Sequence, residues 1–354
     1  MMYITVSYII EKITGTWLGD FLKERIYEPL NMTSTFFSLT DAKAAVSDGF
    51  VSLAQGYFWV NNTQEYLPVP HMDSPIASGA GATISTVHDY AKWVRCLMTG
   101  SPPLSPSGHE ALRFPRIARG FLDKGFRGPD SYALGLGIMN YRGEVLIWHN
   151  GGLPGFGTFM AFLPRLQWGA VMMANTVDGG SAVEQVLFFK LLDDLLDVSE
   201  KDRFNWEVEM ESGLETQAYV LEHAREFAYP DAPDPPVPLT LPLEDYAGIY
   251  SHPAYPTVNL SITEGSHDSQ IAGDLYTLSY HTYIFLQHVS GEFFLLYART
   301  SAKKGWDPAK DSRPAQDAVT KAEFRLGENG KVRELGVIVE PEMGNEKIWW
   351  RKDA

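Results

Sequence analysis

The sequence has 354 residues, 45% hydrophobic and 21% charged, the balance of ordinary globular domains and length enough for two or three of them. Its 29 Lys and Arg against 44 Asp and Glu leave a net charge of -15, which argues against a nucleic-acid backbone or an anionic membrane surface as partner. The single cysteine, Cys96, excludes an intrachain disulfide; His71, His88 and His109 stand alone without metal-ligand spacing, so neither a metal nor a cofactor is expected.

Residues 1–10 are apolar but too short to span a bilayer, and they run into Glu11-Lys12 without a basic leader or a small-residue cleavage site. Tyr3, Val6, Ile9, Ile10 and Ile13 fall near helical spacing with Gly15 as a C-terminal cap, which predicts a core helix. Without a leader or membrane segment the compartment stays open, with cytoplasmic as the default. The runs 56–62 and 65–70 alternate in character and predict a hairpin, in which Tyr57 and Trp59 serve either as pocket wall or as plain structure. Thr86 to Asp89 has capping-box spacing, and Tyr90, Trp93, Val94 and Leu97 follow at helical spacing, with Cys96 on the buried face.

A β-rich run entering at Val145 and two more at 158–164 and 168–175 predict three successive strands, with His149 at the end of the first and Gly151, Gly152, Gly155 and Gly157 beyond it. Glycines there let a substrate approach the backbone, whose N–H groups can face a developing oxyanion; a histidine in an ordinary Gly-rich hairpin fits the same stretch. Residues 181–198 predict a helix capped by Ser181, with Val183, Val186, Leu187, Leu191, Leu195 and Val198 as its apolar set. Residues 201–227 read as a helical connector, and the proline-rich 229–238 as an extended linker. Beyond it, short β-type runs at 245–250, 258–263, 275–286, 293–297, 322–326, 335–339 and 348–351, punctuated by glycines, predict a small antiparallel barrel or sandwich.

His149-Asn150-Gly151-Gly152, then Pro154-Gly155-Phe156, Pro164 and Ala174-Asn175, resembles the third motif, Lys-Thr-Gly or His-x-Gly, and the final strands of the serine β-lactamase and penicillin-binding-protein family. Phe21-Leu-Lys-Glu-Arg-Ile-Tyr-Glu-Pro-Leu-Asn-Met32, and Ser78-Gly-Ala-Gly81 with Ser85-Thr86 and Asp89-Tyr-Ala-Lys-Trp93, resemble upstream segments in the same order. Leu243-Glu-Asp-Tyr-Ala-Gly-Ile-Tyr250 followed by His252-Pro-Ala-Tyr255 resembles the start of a lipocalin-like domain appended to some of these hydrolases. The implied fold is α+β: the C-terminal part of a β-lactamase-like domain over 1–200, a connector and linker over 201–240, and a small antiparallel β-barrel over 241–354. The resemblance also implies that Phe188, Phe189 and one sheet edge lack the partners they have in the family.

The family includes class C β-lactamases, carboxypeptidases, esterases and acyltransferases. Their first motif, Ser-x-x-Lys, supplies the nucleophile, and their second, Tyr-x-Asn or Ser-x-Asn, handles protons. Here Ser-x-x-Lys occurs only as Ser301-Ala-Lys-Lys304, in a polar loop of another domain; Thr40-Asp-Ala-Lys43 has threonine in place of serine, and the second motif is absent. The resemblance therefore implies a truncated member acting on an acyl group of a small molecule or peptide, with His149 as catalytic residue and Asn150, Gly151 and Gly152 as substrate and oxyanion groups. Three alternatives stay open: a non-covalent binding or regulatory protein, a repurposed pocket with His149 as general acid or base, and a decayed, poorly folded remnant.

Overall fold

The computed structural model describes residues 2–60, 64–73, 75–121, 125–264, 269–275, 282–300 and 317–353. Two compact units divide the chain, Met1–Phe58 with Pro68–Met210, and Trp59–Leu67 with Glu211–Ala354. The helices in order are α1 (Met2–Thr14), α2 (Leu18–Leu22) running into a π-helical turn at Lys23–Tyr27, α3 (Leu39–Ser47), α4 (Ser78–Gly81), α5 (Val87–Thr99), α6 (Pro106–Arg113), α7 (Asp178–Leu195), α8 (Trp206–Glu222) and α9 (Ala224–Ala228). Strands β1 (Gly56–Val60) and β2 (Glu65–Val69) pair as the expected hairpin, with Trp59 packed on Tyr66 at 4.9 Å between ring centroids.

The first unit is built on a sheet ordered as the chain runs: β3 (Ile117–Phe121), β4 (Pro129–Tyr132), β5 (Gly137–Tyr141), β6 (Glu144–Leu153), β7 (Phe156–Leu163) and β8 (Trp168–Ala174), all antiparallel. Alternation along each strand divides the core between two faces. On one, Phe188, Phe189 and Leu192 of α7 pack on Tyr141, Leu146, Phe159, Ala161 and Leu163. On the other, Val94 and Leu97 of α5 meet Ile147, Met160 and Phe162. β7 is covered on both sides, which is why it reads as a continuous apolar run.

The Thr86 hydroxyl accepts from the Asp89 N–H as the spacing predicted, Gly100 closes α5 in the left-handed region (φ +67°), and Cys96 is buried. The buried Asp89 carboxylate also accepts from the Ser34 N–H at 2.6 Å, the Thr35 hydroxyl at 3.1 Å and Lys92 Nζ at 2.7 Å. Burial opposes its ionisation, but these donors outweigh burial and hold the carboxyl below its usual range. Thr86→Ala, which removes one cap bond and spares the rest, is expected to lower unfolding free energy by about 1 kcal/mol in urea titrations.

Three expectations are corrected here. α1 ends before Gly15 as predicted, but it is not a core helix: Met2, Tyr3, Val6, Tyr8, Ile9 and Ile13 are exposed and only Ser7 is buried. It packs most closely on α4, where a side chain at Gly79 would stand 2.6 Å from the Tyr3 carbonyl and 2.7 Å from Ser7 Oγ. α7 begins at Asp178 and takes no side-chain cap, so Ser181 lies inside it. Phe188 and Phe189 are buried, whereas Val183, Leu187, Leu191 and Leu195 are exposed. The helix carries two apolar stripes, and the aromatic one, with more area to remove from water, faces the sheet.

In the second unit β9 (Gly248–Ser251), β10 (Val258–Glu264), β11 (Ser269–Leu275), β12 (Thr282–Ser290), β13 (Phe293–Thr300), β14 (Asp317–Leu326), β15 (Val332–Val337) and β16 (Ile348–Lys352) form a closed antiparallel barrel, with β16 returning to β9. Its own side chains fill it: Tyr246, Tyr250, Leu260, Phe294, Phe324 and Trp350 are buried in one cluster. The run expected at 245–250 opens with a 3-10 turn, Leu243–Tyr246, and the run expected at 275–286 is divided between β11 and β12, with 276–281 outside the described residues. β11 escaped the sequence reading because Gly273 and Asp274 dilute its β character; pairing with β10 and β12 imposes it. Among the described residues no helix is long and apolar enough to cross a membrane.

Candidate functional site

His149 lies inside β6, not at its end, because the strand continues through Gly151 and Gly152 to Leu153. What ends near His149 is the neighbouring strand. β5 pairs with β6 only as far as Gly137 opposite Trp148, whereas β7 pairs with every residue from Ile147 to Leu153. Residues 149–153 therefore overhang β5 with one strand neighbour, and alternate residues point N–H and C=O groups away from β7.

The glycines of the overhang sit where side chains would crowd their neighbours. A Cβ at Gly151 would stand 2.8 Å from Thr158 Oγ1, and one at Gly152 3.2 Å from Val177 Cγ2. The turn into β7 needs Gly155 twice over, for its left-handed φ of +80° and for its approach to the Gly56 backbone, 3.1 Å from where its Cβ would be. Asn150 and Gly151 are exposed, and His149 is half-buried.

Around His149 the sheet gathers a polar group that single-sequence reading missed. The Tyr132 hydroxyl on β4 lies 3.2 Å from His149 Nε2, and Tyr3 of α1 hydrogen-bonds the same hydroxyl. Arg119 on β3 is paired with Asp130 at 2.8 Å and stands over the rings of Tyr132 and Trp148 at 5.3 and 5.2 Å. Gly137 makes room for this stack, since a Cβ there would lie 2.5 Å from Trp148 Nε1 and 2.9 Å from Arg119 Nη2. Burial pushes the His149 pKa below its ordinary value; a hydrogen bond to the Asn150 backbone raises it, and the Arg119 charge lowers it further. Burial foremost, with the bond to Tyr3, pushes the Tyr132 phenol up to about 12. At neutral pH the pair is an uncharged imidazole beside an uncharged phenol. β3 is exposed throughout and β4 is four residues long, so neither carried a period that could have pointed to Arg119 or Tyr132.

The other candidates are not brought to this site. Thr40 and Lys43 lie exposed on α3, and Ser301-Ala-Lys-Lys304 lies outside the described residues. Tyr57 donates its N–H to the Asn175 carbonyl just past β8. Among the described residues no group of His, Cys, Asp and Glu is arranged to hold a metal ion.

A family model described as β-lactamase matches residues 1–189, and a second, described only as a domain of unknown function, matches residues 232–352. Two curated fungal proteins resemble the whole chain. Unguisins hydrolase ungD' of Aspergillus campestris (strain IBT 28561) is 36% identical over 355 residues, covering 100% of this chain and 63% of the relative. Unguisins hydrolase ungD of Aspergillus violaceofuscus (strain CBS 115571) is 34% identical over 376 residues, covering 99% of this chain and 62% of the relative. The chain thus spans less than two thirds of the length of these relatives. Among solved structures, an octameric penicillin-binding protein homologue from Pyrococcus abyssi aligns with 99% of this chain and 63% of its own at 18% identity and a TM-score of 0.48.

Proposed function

The chain belongs to the β-lactamase family, and on that premise we propose that it is the substrate-facing portion of a serine hydrolase acting on an ester, thioester or amide of a small molecule or peptide, whose nucleophile lies outside these 354 residues. The observation that carries this reading is the overhang of β6: a stretch through Gly151 and Gly152 with one side free of a strand partner, beside a neutral His149. In the reaction the serine oxygen attacks the acyl carbon, the Gly152 N–H meets the oxygen that becomes negative, and His149 and Asn150 orient the acyl substrate. Preorganised donors of this kind are each worth about 10²–10³ in rate. The names of the curated relatives make an unguisin the first substrate to try, and hydrolysis rather than acyl transfer the first reaction.

Two features support a longer working protein. The curated relatives extend well beyond the region they share with this chain, and Val183, Leu187 and Leu191 line an uncovered groove along β8, the last strand of its sheet. Covering the exposed half of each such side chain stabilises by about 1 kcal/mol. In this reading residues 1–200 form the hydrolase-type domain and 241–354 an appended barrel.

The test is the intact mass of the protein from its own source, followed by a serine-directed phosphonate probe. The expected result is a mass above that of 354 residues and one phosphonyl group on a serine outside them, with His149→Ala lowering kcat/KM about 10²-fold. A mass equal to that of 354 residues with no label would sink the hydrolase reading. It would favour non-covalent binding.

A further inference from the structure

We infer that α7 and β8 form a two-fold interface with a second copy of this chain, in which each element packs antiparallel to its own counterpart across the groove beside them. The inference stands independently of the hydrolase reading.

The groove is lined by Val171, Met172 and Met173 of β8 and by Val183, Leu187 and Leu191 of α7. β8 is the last strand of its sheet, and Val183, Leu187 and Leu191 are 55%, 48% and 48% exposed, following one another at four-residue steps along one face of α7. A two-fold contact needs a surface that complements itself. α7 meets this condition about Leu187: Val183 and Leu191 stand four residues to either side of it, and Glu184 and Lys190 three. In an antiparallel pair centred there, Leu187 meets Leu187 of the second copy, Val183 meets its Leu191, and Glu184 comes level with its Lys190. Both Glu184 and Lys190 line the groove, and Glu184 is buried with an Oε1 that has no hydrogen-bond partner in the protomer. An ammonium brought to that carboxyl supplies compensation that one copy lacks.

The strand has the same centre. α7 starts beside the end of β8, where a Cβ on Gly180 would stand 2.6 Å from that of Ala174, and runs back along it until Phe188 reaches Trp168, at 5.7 Å between ring centroids. Seven helical residues from Gly180 to Leu187 advance about 10 Å, and three strand residues from Ala174 to Val171 advance about the same. Leu187 thus stands level with Val171, the middle residue of β8. One axis serves both elements. The spacing agrees as well: α7 packs on β7 and β8 together, so with strands about 4.8 Å apart it lies about 5 Å from an axis running beside β8. Two copies of α7 then stand about 10 Å apart, the separation of packed helices.

The experiment uses the whole 354-residue chain. Sedimentation velocity from about 1 to about 100 µM is expected to show reversible monomer–dimer exchange, since a two-fold contact closes on itself. Cysteine cross-linking reads the register, because Cys96 is the only cysteine and is buried. Under mild oxidation Leu187→Cys, on the axis, links to itself; Val183→Cys links to Leu191→Cys in a mixture, and about tenfold more slowly to itself. Lys190→Glu, which sets a like charge against Glu184, raises the dissociation constant roughly tenfold, but only about twofold in a Glu184→Gln background. A chain that stays monomeric throughout overturns the pairing and leaves the groove to residues of a longer protein. Val183→Cys linking to itself as fast as Leu187→Cys overturns it too, as the mark of random encounter or another register. A monomer that takes the phosphonate keeps the hydrolase reading and rejects this one; an unlabelled dimer with the expected cross-links does the reverse.

Discussion

Phe188→Ala lowers the unfolding free energy of the first unit by about 3–5 kcal/mol, whereas Leu187→Ala, one residue earlier, changes it by about 0.5 kcal/mol or less. Phe188 is fully buried, with ring centroids 5.0 Å from Phe159, 5.4 Å from Phe189 and 5.7 Å from Trp168. Removing it leaves a ring-sized void that α7 and β7 cannot close without losing their contacts with Tyr141, Leu163 and Leu192. Leu187 is 48% exposed, so truncation there removes little that folding had buried. Urea titrations of the two variants measure the difference. Equal effects would mean that α7 turns its other stripe to the sheet.

Glu184→Gln is expected to stabilise the protein by about 2–3 kcal/mol at pH 8 and to leave it nearly unchanged at pH 4. Glu184 is 4% exposed; its Oε1 has no hydrogen-bond partner, and one hydrogen bond from the Ala174 N–H is its compensation. Burial raises its pKa to about 7. The native state therefore holds this proton more tightly than the unfolded chain, in which the carboxyl titrates near 4.3. Between those values the unfolded state has fewer protons bound, so stability falls as pH rises from about 4 to about 7 and is level above it. Glutamine keeps the acceptor for Ala174 and cannot ionise. Urea midpoints of both proteins across pH 4 to 8 should converge at the acid end and part at the alkaline end; parallel curves would remove Glu184 as the cause.

The parts of the fold legible in the sequence were those that carry a period or a cap. β7, β8 and α5 followed from apolar runs bounded by turn residues and from Thr86 and Asp89. The antiparallel barrel followed from regular glycines between short β-type runs. For α7, a count of apolar positions chose the stripe of Val183, Leu187 and Leu191, whereas the fold buries Phe188, Phe189 and Leu192, because which stripe is covered depends on what lies opposite. At the site, His149 and its glycines could be found by motif. The shorter reach of β5, which leaves 149–153 open, belongs to the register between two strands, and no single stretch encodes it. Tyr132 and Arg119 reach His149 by crossing neighbouring strands, so their proximity is tertiary in origin.

The two sheets differ in how they end. The barrel has no last strand, since β16 returns to β9, whereas β8 stops its sheet with Trp168-Gly-Ala-Val-Met-Met-Ala174, seven residues without a charge or a proline. Natural edges usually carry a lysine, a proline or a bulge that discourages another chain from adding to them. This edge has none of these. Its backbone is a template for any extended apolar segment in a crowded solution, so the chain made alone is expected to form intermolecular β-structure through β8 during overproduction. A lysine in place of Met173 is then the economical route to a dispersed sample, while the barrel needs no such guard.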